Sequence, residues 1–256
     1  MYGNSITYTN SSIQKCIENE IPIVFCDKNY NPADMLLPHF NIAEYGRRLE
    51  IQSSVTQPTQ KQAWKQIITE KLTNQATCLA FFSKRNCKYL QFLEFAKEVK
   101  TGDRTFREGV GARIYFEELF DNFQRNNNSS LNYGYSILRS GIARAIVSSG
   151  LNPAISIFHS KNKNPFCLVD DLIEPLQPMV DYIIKLRFDD FIKEEILIPT
   201  LKKLLVVSIT EKKLLFEDSE YSFIFGLQRY IQSYLVYISK ECEQITFPKL
   251  FYDIKI

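Results

Sequence analysis

From residue 61 to residue 241, apolar side chains recur at three- and four-residue spacing, and that period commits most of the chain to packed helices. In 61–81, Trp64, Ile67, Ile68, Leu72, Cys78 and Leu79 fall near one stripe. Helices are also predicted over 86–99, 108–124, 130–149, 171–186, 188–197 and 222–241. Breaks fall at Thr101–Gly102–Asp103, at the polar RNNNSS of 125–130, and at Gly150–Pro153. There is no internal repeat and no heptad pattern. Before residue 61 the chain reads differently. NSSIQKCIE (10–18) predicts a short helix capped by Ser11 or Ser12. IPIVFC (21–26) predicts a fully buried strand, followed by a turn at Asp27–Asn31. IQSSVTQPTQ (51–60) is polar, contains Pro58 and reads as a linker. A helix–strand piece of about 50 residues buries little surface by itself, so 1–50 is expected to be part of a domain.

The chain has 256 residues, of which 45% are hydrophobic and 23% charged, enough for one large or two modest domains. A net charge of +2 gives no global basic excess, so any nucleic-acid surface needs local clusters of Lys and Arg. The six cysteines (16, 26, 78, 87, 167 and 242) form no CxxC pair and no close-spaced framework. They read as reduced, mostly buried thiols of a cytosolic protein, and argue against structural zinc. MYGNSITYTNSS lacks the apolar core of a signal peptide. The most apolar stretch, 191–209, is interrupted by Lys193, Glu194, Glu195, Pro199, Lys202 and Lys203, which places it in a soluble core rather than in a membrane.

Only two histidines are present, His39 and His159. His159 precedes VDDLIEP, where Asp170 and Asp171 lie four and three residues before Glu174 and project to one side of a helix. Two carboxylates, an imidazole and water make a hard ligand set suited to Mg²⁺ or Mn²⁺. Acidic residues at a helix start are also favoured by capping and the macrodipole alone. Pro175 and Pro178 fit such a start, so both readings stand. In TGDRTFREGVGARIYFEELF (101–120), Glu108 lies among Arg104, Arg107 and Arg113, and Gly109, Gly111 and Ala112 permit close approach to the helix. A carboxylate among arginines is either a salt-bridged surface helix or a metal ligand beside phosphate-binding cations. The helix SSLNYGYSILRSGIARAIVSSG (129–150), capped by Ser129 or Ser130, carries Tyr133, Tyr135, Arg139 and Arg144. Its Gly134 and Gly141 lower helix propensity and point to close packing.

LNYGYSILRSGIARAIVSSGLNP, the following histidine and NPFCLVDDLIEP together closely resemble the CRISPR adaptation integrase family ("Cas one"), in wording most like its type II branch. The resemblance runs from about residue 13 to about residue 230. It includes IPIVFCDKNYNPADMLLP, KQAWKQIITEKLTNQA and GDRTFREGVGARIYF, and its specificity lies in several motifs occurring in order. It implies an α+β chain: a small N-terminal β-rich domain (1–50), a linker (51–60) and a large all-α catalytic domain (61–256). It implies a metal-dependent DNA endonuclease and integrase that joins 3′-hydroxyl ends of DNA fragments to a CRISPR repeat. Glu108 matches the glutamate of the family's EGxAA motif, His159 the histidine after the GLxP turn, and Glu174 the last ligand at the end of DLxEP. These three are the implied catalytic residues and ligands of Mg²⁺ or Mn²⁺. Asp171 is the acidic neighbour one turn earlier, and Tyr135 an active-site neighbour. Asp170 and His39 match no family role and read as a helix-start charge and a structural residue. Arg104, Arg107, Arg113 and Arg139 are the expected contacts to double-stranded DNA. The implied partners are a second copy of the chain and the small "Cas two" protein, in the cytoplasm.

The chain departs from the family in three places. Met1 falls inside the N-terminal domain, which normally begins several strands earlier, so the dimer interface and partner platform are expected to be reduced. Gln177 stands where the family usually has arginine, and Gly111 where it has alanine. The competing reading is a shortened, non-catalytic DNA-binding remnant; an unrelated helical metal-dependent nuclease would require the ordered motifs to be coincidence.

Overall fold

The computed structural model describes residues 6–19, 21–28, 30–36, 45–82, 88–104, 106–120, 129–159, 164–187 and 198–250. The element order is α1 (Asn10–Glu18), β1 (Ile23–Cys26), β2 (Pro32–Leu36), α2 (Tyr45–Ser53), α3 (Gln57–Phe82) and α4 (Lys88–Glu98). A 3₁₀ turn (Thr101–Asp103) leads to α5 (Arg107–Phe120), α6 (Ser129–Ser148) and α7 (Cys167–Leu172). A second 3₁₀ turn (Glu174–Leu176) leads to α8 (Gln177–Leu186), α9 (Pro199–Thr210), β3 (Leu214–Phe216), β4 (Ser219–Tyr221) and α10 (Phe223–Ile238). The described residues are mostly helical, with two small antiparallel sheets among them, as expected of an α+β chain with a dominant helical part.

The axis of the helical part is α3. Trp64, Ile67, Ile68 and Leu72 on it are fully buried, and α4, α5, the second 3₁₀ turn and α8 pack around it. A second group forms where α6 meets α8, α9 and α10. Of the stretch 51–60, residues 51–53 end α2 and 57–60 begin α3, with Pro58 in the first turn, where its missing N–H costs nothing. The expected helix over 171–186 is three pieces, because Pro175 and Pro178 remove two donors from the ladder. The remaining bonds tighten to Leu176 N–H donating to the Ile173 carbonyl at 2.9 Å. The helix expected over 188–197, like His39 and Cys87, lies outside the described residues.

Three local expectations are corrected. Thr9, not Ser11 or Ser12, caps α1: its hydroxyl accepts from the Ser12 N–H at 3.2 Å. Strand β1 is only half buried. Ile23 and Val24 are covered, but Phe25 is exposed, because the two-stranded ribbon of β1 and β2 has a solvent side. The thiols are not mostly buried: Cys78 and Cys167 are, while Cys16, Cys26 and Cys242 are partly open. The turn at Asp27–Asn31 forms as expected, with the Asp27 carboxylate accepting from the Asn31 N–H at 2.9 Å.

Gly134 explains its cost to helix propensity. A Cβ there would lie 2.5 Å from Val180 Cγ1 of α8, so α6 and α8 meet at a separation only glycine allows. Alanine gains about 1 kcal/mol of helix propensity. The overlap outweighs this gain. Gly134→Ala is expected to destabilise the chain by about 1–3 kcal/mol in urea denaturation. Equal or higher stability would show that the two helices separate easily.

Candidate active site

Three elements distant in sequence deliver three charged side chains to one point. Lys71 on α3 is buried, and its ammonium donates to Glu108 Oε1 on α5 at 2.9 Å and to Glu174 Oε2 in the second 3₁₀ turn. Burial alone would lower the lysine pKa, but the charges and hydrogen bonds of Glu174 and Glu108 outweigh it and raise the pKa above the ordinary lysine value. Each carboxylate is fixed locally as well. The first N–H groups of α5 are held by the Asp103 carboxylate, which accepts from Arg107 N–H at 3.0 Å and Glu108 N–H at 3.1 Å. A Cβ at Gly111 would lie 2.8 Å from Leu72 Cδ2, so this glycine lets α5 close on α3 and carry Glu108 to Lys71. Near Glu174, the Asn74 amide donates to the Pro175 carbonyl at 3.0 Å, one turn after Lys71 on α3.

His159 is placed by a different carboxylate. The buried Asp171 accepts from the backbone N–H groups of Ile157 (2.6 Å), Phe158 (3.0 Å) and His159 (3.1 Å), and its Oδ1 lies 2.7 Å from His159 Nδ1. A carboxylate only accepts, so Nδ1 carries the proton and Nε2 is the ring nitrogen left for other work. Four contacts use the acceptor sites of Asp171, which therefore orients the histidine and is not itself open to a ligand. The Asp171 hydrogen bond raises the His159 pKa, burial lowers it, and the charges of Asp171, Glu174 and Glu108 raise it further. The ring also meets the indole of Trp64 edge-on at 5.2 Å, while Phe158 stacks on that indole at 4.5 Å. The approach to this segment is set by the end of α6. Gly150, at φ 69°, closes a Schellman motif in which its N–H donates to Val147 and that of Leu151 to Ile146. Gln52 of α2 then pins the following turn through the Asn152 and Ile155 carbonyls at 2.9 and 3.1 Å.

His159 and Glu174 open onto one polar cleft of about 770 Å³, which Tyr135, Arg139, Asp170 and Gln177 also line. Tyr135 donates its hydroxyl to the buried Asp181. Asp170 is more than a helix-start charge: it pairs with Arg139 at 2.6 Å and accepts from the Asn164 amide at 2.6 Å. Gln177 donates to Glu174 Oε1 at 3.3 Å, so an amide serves the glutamate where the family usually has arginine. The other expected DNA contacts lie outside the cleft lining. Arg107 pairs with Glu98 and lies over the Phe95 ring, Arg113 pairs with Glu117, and Arg104 is exposed. Among the described residues, no three His, Cys, Asp or Glu side chains are gathered closely enough to hold a metal ion as they stand. Glu108 and Glu174 nevertheless already share one cation, the Lys71 ammonium. By donor chemistry, two carboxylates and the His159 imidazole would suit Mg²⁺ or Mn²⁺ if brought together.

Lys71 and Asp103 did not emerge from the sequence reading. The signal for Lys71 was present: a lysine in the buried stripe that runs through Trp64, Ile67, Ile68 and Leu72. Asp171→Ala would leave three backbone N–H groups and the His159 ring without an acceptor. We expect a loss of at least about 3 kcal/mol in equilibrium denaturation, since each orphaned buried donor costs about 1–3 kcal/mol. A loss under about 1 kcal/mol would show that Asp171 does not hold the 157–159 segment.

Comparison with known proteins points to one family. The family model described as CRISPR associated protein Cas1 matches residues 1–194. The CRISPR-associated endonuclease Cas1 of Neisseria meningitidis serogroup C (strain 8013) is 32% identical over 243 residues, covering 91% of this chain and 78% of the relative. In fold, the chain is similar to a casposase bound to an integration product, with a TM-score of 0.79 at 22% identity over 97% of this chain and 80% of the other. It is also similar to a chain of a Cas6-RT-Cas1–Cas2 complex, with a TM-score of 0.71 at 15% identity, over 96% of this chain and 31% of the other. The chain belongs to the Cas1 family.

Proposed function

We propose that this chain is a metal-dependent DNA endonuclease and strand-transfer integrase of CRISPR adaptation, joining 3′-hydroxyl ends of captured DNA to the repeat by transesterification. The observation that carries the reading is the pair Glu108 and Glu174 on one buried cation, beside an aspartate-oriented His159 at the mouth of a polar cleft. Glu108, Glu174 and His159 through Nε2 are the residues that would hold Mg²⁺ or Mn²⁺. When bound, the metal supplies Lewis-acid polarisation of a phosphoryl oxygen and offsets charge on the attacking and leaving oxygens. The protein's own part is orientation. Asp171 fixes the tautomer and tilt of His159, Gln177 holds one oxygen of Glu174, and the Tyr135–Asp181 bond sets the cleft wall. Arg139 lies in that cleft to meet the DNA backbone, with Arg104, Arg107 and Arg113 outside it.

The substrate is double-stranded DNA, and the working unit is a homodimer joined by the small Cas two protein. The fold shared with a casposase on its integration product and with a Cas1–Cas2 assembly supports the DNA and Cas two partners. The cytoplasm is the compartment that fits this substrate. Among the described residues, no helix is long and apolar enough to cross a membrane.

The test is strand joining. The purified chain, Mn²⁺, the Cas two protein, a labelled 3′-hydroxyl duplex and a repeat-bearing plasmid are incubated beside Glu174→Ala. Joined product is expected, falling at least about 100-fold in the variant, because losing a metal ligand removes several kcal/mol of transition-state stabilisation. Metal-dependent nicking without joining would retain the nuclease and overturn the integrase. Absence of both would favour a DNA-binding remnant.

A further inference from the structure

Lys71 has a position that the metal reading does not use. Its side chain is 4% exposed, against 11% for Glu174 and 27% for Glu108, so the ammonium reaches both carboxylates from the interior side. Glu174 and His159 line the cleft, and neither Lys71 nor Glu108 does. The ammonium takes a single oxygen from each glutamate, Oε1 of Glu108 and Oε2 of Glu174, while Oε1 of Glu174 accepts from the amide of Gln177, which lines the cleft, at 3.3 Å. Its base is rigid. Leu72 next to it is fully buried against the Gly111 gap, and Asn74 bonds the Pro175 carbonyl beside Glu174.

Two roles are open to a lysine so placed. A competitor would occupy the position of the metal and leave when the metal binds. A positioning group would stand behind the ligands and hold them at a working separation. Burial away from the cleft and the use of one oxygen per carboxylate favour the second. We propose that Lys71 is a positioning residue of the Cas1 site, which pins Glu108 and Glu174 from behind so that their outer oxygens converge on a divalent cation. The inference rests on the metal-dependent reading above. Neutralising two neighbouring carboxylates from the interior also keeps them from repelling one another out of register, a task that hydrogen-bond donors behind metal ligands perform generally.

Mn²⁺ affinity of the full chain, read without substrate from loss of the free-ion electron paramagnetic resonance signal, tests this. Lys71→Met is expected to weaken Mn²⁺ binding about 10–100-fold, with the helical circular dichroism retained. Equal or tighter binding would make Lys71 a competitor and overturn the proposal. If Lys71→Met does not fold, the wild-type chain decides. Nitrogen-15 resonances of its lysine ammonium groups are followed as Mg²⁺ is added. Retention of the slowly exchanging Lys71 signal is expected, and its release into solvent overturns positioning. Wild-type chain and Glu174→Gln complete the set. If the wild type takes up no Mn²⁺, or Glu174→Gln takes up as much, the metal reading itself fails. If those controls behave and only the lysine result is contrary, the positioning role alone falls.

Discussion

A single buried ammonium sets the relative placement of three elements. Lys71 joins residues 37 and 103 positions away in sequence, and so ties α3 to α5 and to the turn at Glu174. Burying a lysine is unfavourable unless its charge is met, and two carboxylates meet it here. The same bond works in reverse for Glu174, whose buried carboxylate is met by the lysine. The packing around the site follows from this constraint. Gly111 is small so that α5 can close on Leu72, and Asp103 holds the start of α5 so that Glu108 arrives at the correct height. A polar contact of this kind contributes less to net stability than to uniqueness, because a helix shifted by one turn would strand a charge in the core.

Two acidic residues three positions apart do opposite work because their surroundings differ. Asp171 ends in a shell of four donors, is fully buried, and has nothing left to offer a ligand. Glu174 lies past the break in the helix and keeps one side to the cleft. Pro175 and Pro178 create that difference. By removing donors they prevent a continuous helix from 167 to 186, and the tighter turn rotates Glu174 away from the Asp171 side. The two carboxylates and the two prolines are therefore one device.

Much of this was legible in the chain. Helical periodicity predicted α3, α4, α5, α6 and α10 because each buries one apolar stripe against a neighbour, and that pattern survives without knowledge of the partner. Helix α2 was not expected: its apolar residues are few, and it is held by polar contacts such as Gln52 to Asn152. Helix α9 was hidden because a lysine, Lys202, is among its buried residues. Its ammonium is accommodated by the Tyr30 hydroxyl at 2.8 Å, from an element 172 residues away. The site divides in the same way. Glu108, His159 and Glu174 could be named from ordered motifs, but the Lys71 bonds that join two of them run between distant segments and leave no local pattern. A lysine within an apolar stripe is the exception, since its cost is visible before its partners are.

The hairpin of β1 and β2 belongs to this site and not only to the chain's edge. Its turn contributes Lys28, Tyr30 and Asn31 to the lining of the cleft that Glu174 also lines. Tyr30 adopts φ 66°, a strained value for a residue other than glycine, and is held there by the Lys202 bond and an edge-on contact with Tyr133 at 5.1 Å. Asn31 in turn accepts from Arg139 Nη1 at 2.9 Å, while Asp170 takes Nη2. Arg139 is thus committed on two sides by neutral and anionic partners. An incoming phosphate gains this guanidinium only by competing with Asp170, so its net attraction is smaller than that of an open arginine. Such a clamp favours orientation over raw affinity. Its geometry depends on a turn at residues 27–31 remaining docked on α6, which ties the behaviour of the cleft to the N-terminal hairpin.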